Sequence, residues 1–120
     1  MMKLLPDFPD NIVGIAASGE VEANDYETVL IPAVESAVQR HGRIRLLYQL
    51  GPGFIRFTPG AMWDDARVGL AHPKSWERFA IVTDVAWVTH AAGMFKFLIP
   101  AVVKVFSLDE QSEAEKWIAA

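Results

Sequence analysis

Apolar positions along this chain recur with two periods, short runs of the strand kind and longer stretches at helical spacing. Residues 3–5 (KLL) predict a first strand, closed by a stiff turn that holds Pro6 and Pro9. Residues 11–18 (NIVGIAAS) predict a second, with Ile12, Val13 and Ile15 to bury. Gly14 within it marks a bulge or a close backbone contact. The connection is short, so the two strands predict an antiparallel pair at a sheet edge. Tyr26, Val29, Leu30, Ala33, Val34, Ala37 and Val38 then fall at i, i+3, i+4, i+7 spacing, an amphipathic helix capped by Asn24 or Asp25. Pro32 removes a backbone hydrogen bond, so this helix either bends there or begins its regular part there. His41 and Gly42 stop it.

Residues 44–50 are apolar almost throughout, the pattern of a central parallel strand buried on both faces. Gly51, Pro52 and Gly53 end that strand, and Phe54, Ile55 and Phe57 follow in a glycine-rich loop with no regular period. Thr58 caps and Pro59 opens the next helix, whose inward stripe is Met62 or Trp63, Ala66 and Leu70, with His72 and Pro73 at its end. Residues 78–83 (RFAIVT) predict another core strand, and Asp84 a cap for a helix over 85–98. In that helix Trp87, Val88, Ala91, Phe95 and Leu98 form one apolar stripe, and Met94 and Phe97 a second. A helix apolar most of the way round is either deeply buried or has something greasy beside it. Pro100 ends it, and 102–106 is the last strand. Ser107 and Glu110 then frame a capping box for a terminal helix that buries Ala114, Trp117 and Ile118.

The order β-β-α-β-α-β-α-β-α predicts an α/β fold in one domain over residues 1–120. It would be a mixed five-stranded sheet, mostly parallel with an antiparallel edge strand, covered by about four helices. A length of 120 residues suits one core, and 52% hydrophobic with 22% charged residues is a globular composition. The net charge of −4 argues against nucleic acid as a partner. With no cysteine the chain has no disulfide, thiolate ligand or cysteine nucleophile. No signal peptide is apparent, and the longest apolar run, 91–105, is broken by Gly93, Lys96, Pro100 and Lys104. The expectation is a cytoplasmic protein.

No catalytic signature is present: there is no nucleophile elbow, P-loop or dinucleotide fingerprint. His41, His72 and His90 lie far apart in sequence without metal-ligand spacing. Asp64 and Asp65 diverge by about 100° on a helix and cannot share a metal or a proton. They suit the helix dipole, or an ion pair with Arg56 or Arg67. The expectation is a non-enzymatic protein with no metal and no cofactor. The large apolar residues carry the sharper signal. Phe54, Ile55, Phe57, Trp63, Trp87, Met94 and Phe97 are more than one helix face hides, and a surplus of that kind marks a ligand, partner or membrane contact.

The segments VGIAASGEVEANDYETVLIPAVE, RIRLLYQL, GAMWDDARVGLAH, RFAIVTD and AEKWI together resemble the SpoIIAA-like branch of the STAS superfamily, the sulfate-transporter and anti-sigma-factor-antagonist modules. The resemblance covers nearly the whole chain and speaks to fold more than to function. Antagonists of this superfamily carry a phosphorylatable serine or threonine where the central strand meets the next helix, usually after an aspartate. Here Thr58 is the only hydroxyl near that place and follows Phe57, so the resemblance implies a phospho-switch at Thr58 only with that departure. Fold resemblance to the CRAL-TRIO lipid-binding domains implies an apolar or lipid-like ligand, or peripheral contact with a membrane. Two function classes stand open. One is a binding module for an apolar ligand through 54–63 and 87–97; the other is a regulatory module that docks a protein partner. A homodimer seam along the greasy helix is a third use of the same surface.

Overall fold

Five strands hydrogen-bond in chain order: β1 (Met2–Leu4), β2 (Ile12–Val21), β3 (Ile44–Phe57), β4 (Trp76–Val82) and β5 (Val102–Phe106). β1 runs antiparallel to β2 and every later neighbour is parallel. The computed structural model describes residues 1–71, 73–95 and 101–120, of which 65, 66, 69, 70, 94 and 95 are described by their backbone alone. Helix α1 opens at Ala23–Asp25, passes through a π-helical stretch over Tyr26–Leu30 and becomes regular over Ile31–His41. Helices α2 (Pro59–Ala71) and α3 (Ala86–Phe95) follow β3 and β4. Helix α4 (Gln111–Ala119) ends the chain after a 3-10 turn at Leu108–Glu110. This is the mixed, mostly parallel α/β sheet that the sequence predicts.

The boundaries show which local signals win. In α1 the Ile31 N–H reaches back five residues to the Tyr26 carbonyl. Pro32 has no N–H to continue that pattern, so regular bonding restarts there, the second of the two outcomes its position allows. The cap of α1 is Glu22, whose N–H donates to the Asp25 carboxylate at 2.8 Å, so Asp25 closes a capping box and does not itself cap. Gly42 ends the helix with φ at +75°, as a C-terminal glycine should. Gly14 lies in an unbroken register, and a Cβ there would stand 2.5 Å from a ring carbon of Phe8. It therefore marks a close contact and not a bulge.

The loop predicted after Leu50 is strand instead. β3 continues to Phe57 by pairing Phe54, Arg56 and Phe57 with Gly19, Glu20 and Val21 of β2, through two register shifts. β4 pairs with β3 only over 44–49, so beyond Gln49 one side of β3 has no strand partner among the described residues. Pro52 lies in that edge segment, where its missing N–H is tolerated. β2 and β3 thus project past the sheet as a two-stranded ribbon.

Burial divides the sheet into two faces. Val13, Ile15 and Ala17, then Leu46, Tyr48 and Leu50, then Phe79 and Val103, share one core with residues of α1, α2 and α3. Ile12, Leu47, Ala80, Val82 and Phe106 share the other with Ala114 and Ile118 of α4. On that second face Arg45 and Arg78 donate to the Ile118 and Trp117 carbonyls at 2.8 Å, placing cations where the dipole of α4 is negative. Arg45 also pairs with Glu77 and holds its carboxyl below the usual glutamate range.

The capping box at the start of α4 is present as predicted, with the Ser107 N–H donating to Glu110 at 2.9 Å. Hydrogen bonds from the Ser107 backbone and hydroxyl hold the Glu110 carboxyl below the usual range. A folded value depressed in this way stabilises at neutral pH and stops doing so as pH falls through it. Glu110→Gln is therefore expected to lower the thermal midpoint at neutral pH and to flatten its decline between about pH 5 and pH 3. An unchanged acid limb, followed by circular dichroism, would contradict this.

Candidate functional site

The first face of the sheet is not fully closed by its helices. α3 packs along β5, while α2 packs against the start of α1, and a cavity of about 260 Å³ lies between them. Its floor is Leu46, Tyr48, Leu50 and Phe57 of β3, Trp76, Phe79 and Ile81 of β4, and Val103 of β5. Leu30 of α1, Met62 and Val68 of α2, and Trp87, Val88, Ala91 and Ala92 of α3 complete the described lining. The space has a local cause in the sequence. Where Tyr48 and Ile81 rise from the sheet, α3 answers with Val88, Ala91 and Ala92, side chains too short to fill the gap.

Among the described residues no charged side chain lines the cavity. Tyr48, which does, is within 3.0 Å of the buried Tyr26 hydroxyl through its own. Met62 and Trp87 are 55% and 45% exposed and form the rim, whereas Trp76 is buried. The opening is therefore at the ends of the strands, where the first turns of α2 and α3 stand.

Three of the aromatics singled out in the sequence converge there. Phe54 and Phe57 lie 5.0 Å apart by ring centroids, and Trp87 stands 6.4 Å from the first and 5.8 Å from the second. Phe57 also meets Tyr48 edge-on at 6.4 Å, so this cluster joins the β3 ribbon to α3 beside the opening. Phe57 and Trp87 line the cavity, and Phe54 packs behind them. Ile55 and Trp63 do not join: they are 71% and 68% exposed and absent from the lining. The Met94 side chain, Phe97 and the part of the helix predicted beyond Phe95 lie outside the described residues.

Other predicted positions change role. The inward side of α2 is Ala61, Asp64 and Val68, with Met62 at the cavity rim and Trp63 turned outward; the side chains of Ala66 and Leu70 lie outside the description. Asp64 is buried and accepts from Arg67 at 3.1 Å, one of the two partners considered for it, while Arg56 pairs with Glu20 at 2.7 Å across the ribbon. The second Asp64 oxygen is buried without a hydrogen bond. Asp84 caps a different helix from the one predicted. It accepts from the Leu108 N–H at 3.0 Å, and the turn into α3 is bonded instead by Thr83, whose hydroxyl oxygen accepts from Val85 at 3.0 Å.

His41 lies 3.0 Å from Asp10, His90 is exposed and His72 lies outside the described residues. No cluster able to hold a metal occurs among the described residues. No described helix is long and apolar enough to cross a membrane. The cavity walls Leu46, Phe79 and Ile81 are legible in sequence only as core-strand residues, and Trp76 lies outside the strand predicted over 78–83, because β4 begins two residues earlier. The signal that marks them as walls is the run of small residues from Ala91 to Gly93 opposite them.

A mostly parallel sheet with one antiparallel edge strand and its crossover helices over one face is an α/β domain of the SpoIIAA-like fold, in the STAS superfamily. Residues 12–119 match the sequence profile of the SpoIIAA-like family, and the chain belongs to that family. The structure is similar to that of an uncharacterized protein with a SpoIIAA-like fold from Shewanella loihica. The TM-score is 0.77 at 24% identity, covering 98% of this chain and 92% of that one. No functionally curated protein matches the sequence.

Thr58 is half-buried at the start of α2, where its hydroxyl oxygen accepts the Ala61 N–H at 3.1 Å. Thr58→Ala is expected to cost about 1 kcal/mol of stability in urea unfolding, and Thr58→Ser much less. Equal losses in both variants would show that the methyl group, and not the cap, is what matters.

Proposed function

We propose that the whole chain acts as one non-enzymatic binding module, which takes an apolar or lipid-like small molecule between the sheet and helices α2 and α3. The cavity of about 260 Å³ is the observation that carries this. It exceeds the roughly 150 Å³ of an apolar cavity able to hold benzene. Its apolar walls are open to water at the rim, and a ligand that fills the space removes that apolar surface from water. The ligand contacts are Phe57, Met62 and Trp87 at the rim and the β3 and β4 walls inside, with Phe54 supporting the rim. Ile55 and Trp63, exposed near the same end, suit contact with a membrane surface during loading.

A second reading is favoured by Thr58 itself. A phosphate there would sit at the N-terminus of α2, where free N–H groups and the helix dipole favour an anion. Exposed Ile55 and Trp63 would then dock a regulatory protein, or a second copy of the chain. A mass increment on Thr58 that depends on a kinase supports this reading and leaves the cavity without a part in it.

Ala92 lines the cavity and is nearly fully buried, so a larger side chain there enters the space without crossing the surface. Ala92→Leu is expected to raise stability by about 1 kcal/mol and to weaken binding of the rod-shaped apolar dye diphenylhexatriene at least tenfold. Undiminished dye binding in a folded variant would remove the cavity from the account.

A further inference from the structure

We propose that the occupant carries a neutral hydroxyl that hydrogen-bonds inside the cavity to the paired hydroxyls of Tyr48 and Tyr26, an inference that rests on the binding reading above and gives it a chemistry. Among the described lining side chains Tyr48 alone has an oxygen; Trp76 and Trp87 can only donate, and the Trp76 Nε1 is buried without a hydrogen bond. Tyr48 is 7% exposed and Tyr26 fully buried, with their oxygens 3.0 Å apart. Two phenylalanines would fill the same space with no polar group to desolvate, so this core holds two hydroxyls where packing alone asks for none. Each hydroxyl has one donor and two acceptor positions, more than the bond between them uses.

The backbone is unusual at the same place. Tyr26 and Leu30 bound the π-helical stretch of α1, a rare geometry that recurs at functional sites. They are also its buried residues: Leu30 lines the cavity and Tyr26 reaches Tyr48, so the widened turn carries both side chains to the site. Phe57 meets the Tyr48 ring edge-on at 6.4 Å, so ring and hydroxyl are each anchored before a ligand arrives. No described lining side chain is charged, and an ionised group would have nothing there to balance it. A neutral oxygen is therefore the group this pair fits. Tyr48 acts as the binding residue, and Tyr26 positions it.

The test compares 2-naphthol with naphthalene, which differ only by the hydroxyl, on the intact protein by equilibrium dialysis. The parent protein is expected to bind both. Tyr48→Phe is expected to weaken 2-naphthol about tenfold and to leave naphthalene within about twofold. Tyr26→Phe, which removes the other half of the pair, is expected to show the same selective loss to a smaller degree, and it decides alone if Tyr48→Phe does not fold. A pair that only supports the fold would move both compounds together. Equal changes for the two compounds in a folded variant, or no change in either, would overturn the proposal while the apolar-ligand reading stands. Naphthalene bound by the parent protein and 2-naphthol refused would do the same. If neither compound binds the parent protein, both fall.

Discussion

Four parallel strands in chain order, joined by right-handed crossovers, force their three connecting helices onto one face of the sheet. Everything at the candidate site follows from that crowding. Helix α1 covers the β2 side with full-sized residues, Tyr26, Leu30 and Val34, and closes its share of the core. Helix α3 meets the β4 side with Val88, Ala91 and Ala92, and leaves its share open. Among the described residues, α4 and the Pro6–Pro9 turn cover the other face. There Phe8 lies directly on Gly14, and two arginines hold the last carbonyls of α4.

The β2–β3 ribbon is the second element that shapes the site. Because β3 outruns β4, Phe54 and Phe57 are carried past the sheet to meet Trp87 at the start of α3. Thr58 then turns the chain into α2, its N–H donating to the Val21 carbonyl at 2.9 Å and its hydroxyl oxygen capping the helix. One continuous segment thus supplies the cavity floor, part of its rim and the start of its far wall.

Element type and order are legible in the sequence because period, caps and proline positions agree over most of the chain. β5 falls on its predicted residues, and the Ser107–Glu110 box forms as written. The segment 51–57 is misread because Gly51, Pro52 and Gly53 carry every local turn signal, whereas strand pairing is a tertiary event. A proline is compatible with a strand at an edge, and only the length of β4 reveals that there is an edge. Asp84 is misplaced for a similar reason: the N–H it accepts belongs to Leu108, 24 residues on. For the candidate site, counting large apolar residues finds the rim aromatics but treats Ile55 and Trp63 as their equals. An exposed tryptophan and a packed one look alike until α2 has a direction. The cavity itself is a matter of what α3 lacks: Ala91 counts in the sequence as part of an apolar stripe, not as a space, and Ala92 draws no notice in a search for large residues.

The proposed role stands on the apolar space under α3 being an occupied site. Native mass spectrometry of the protein as purified from cells, beside Ala92→Leu and with both repeated under denaturing conditions, addresses that most directly. The account predicts an added mass on the parent protein that disappears on denaturation and is missing from the variant. Two bare masses, or the same noncovalent mass on both proteins, would contradict it.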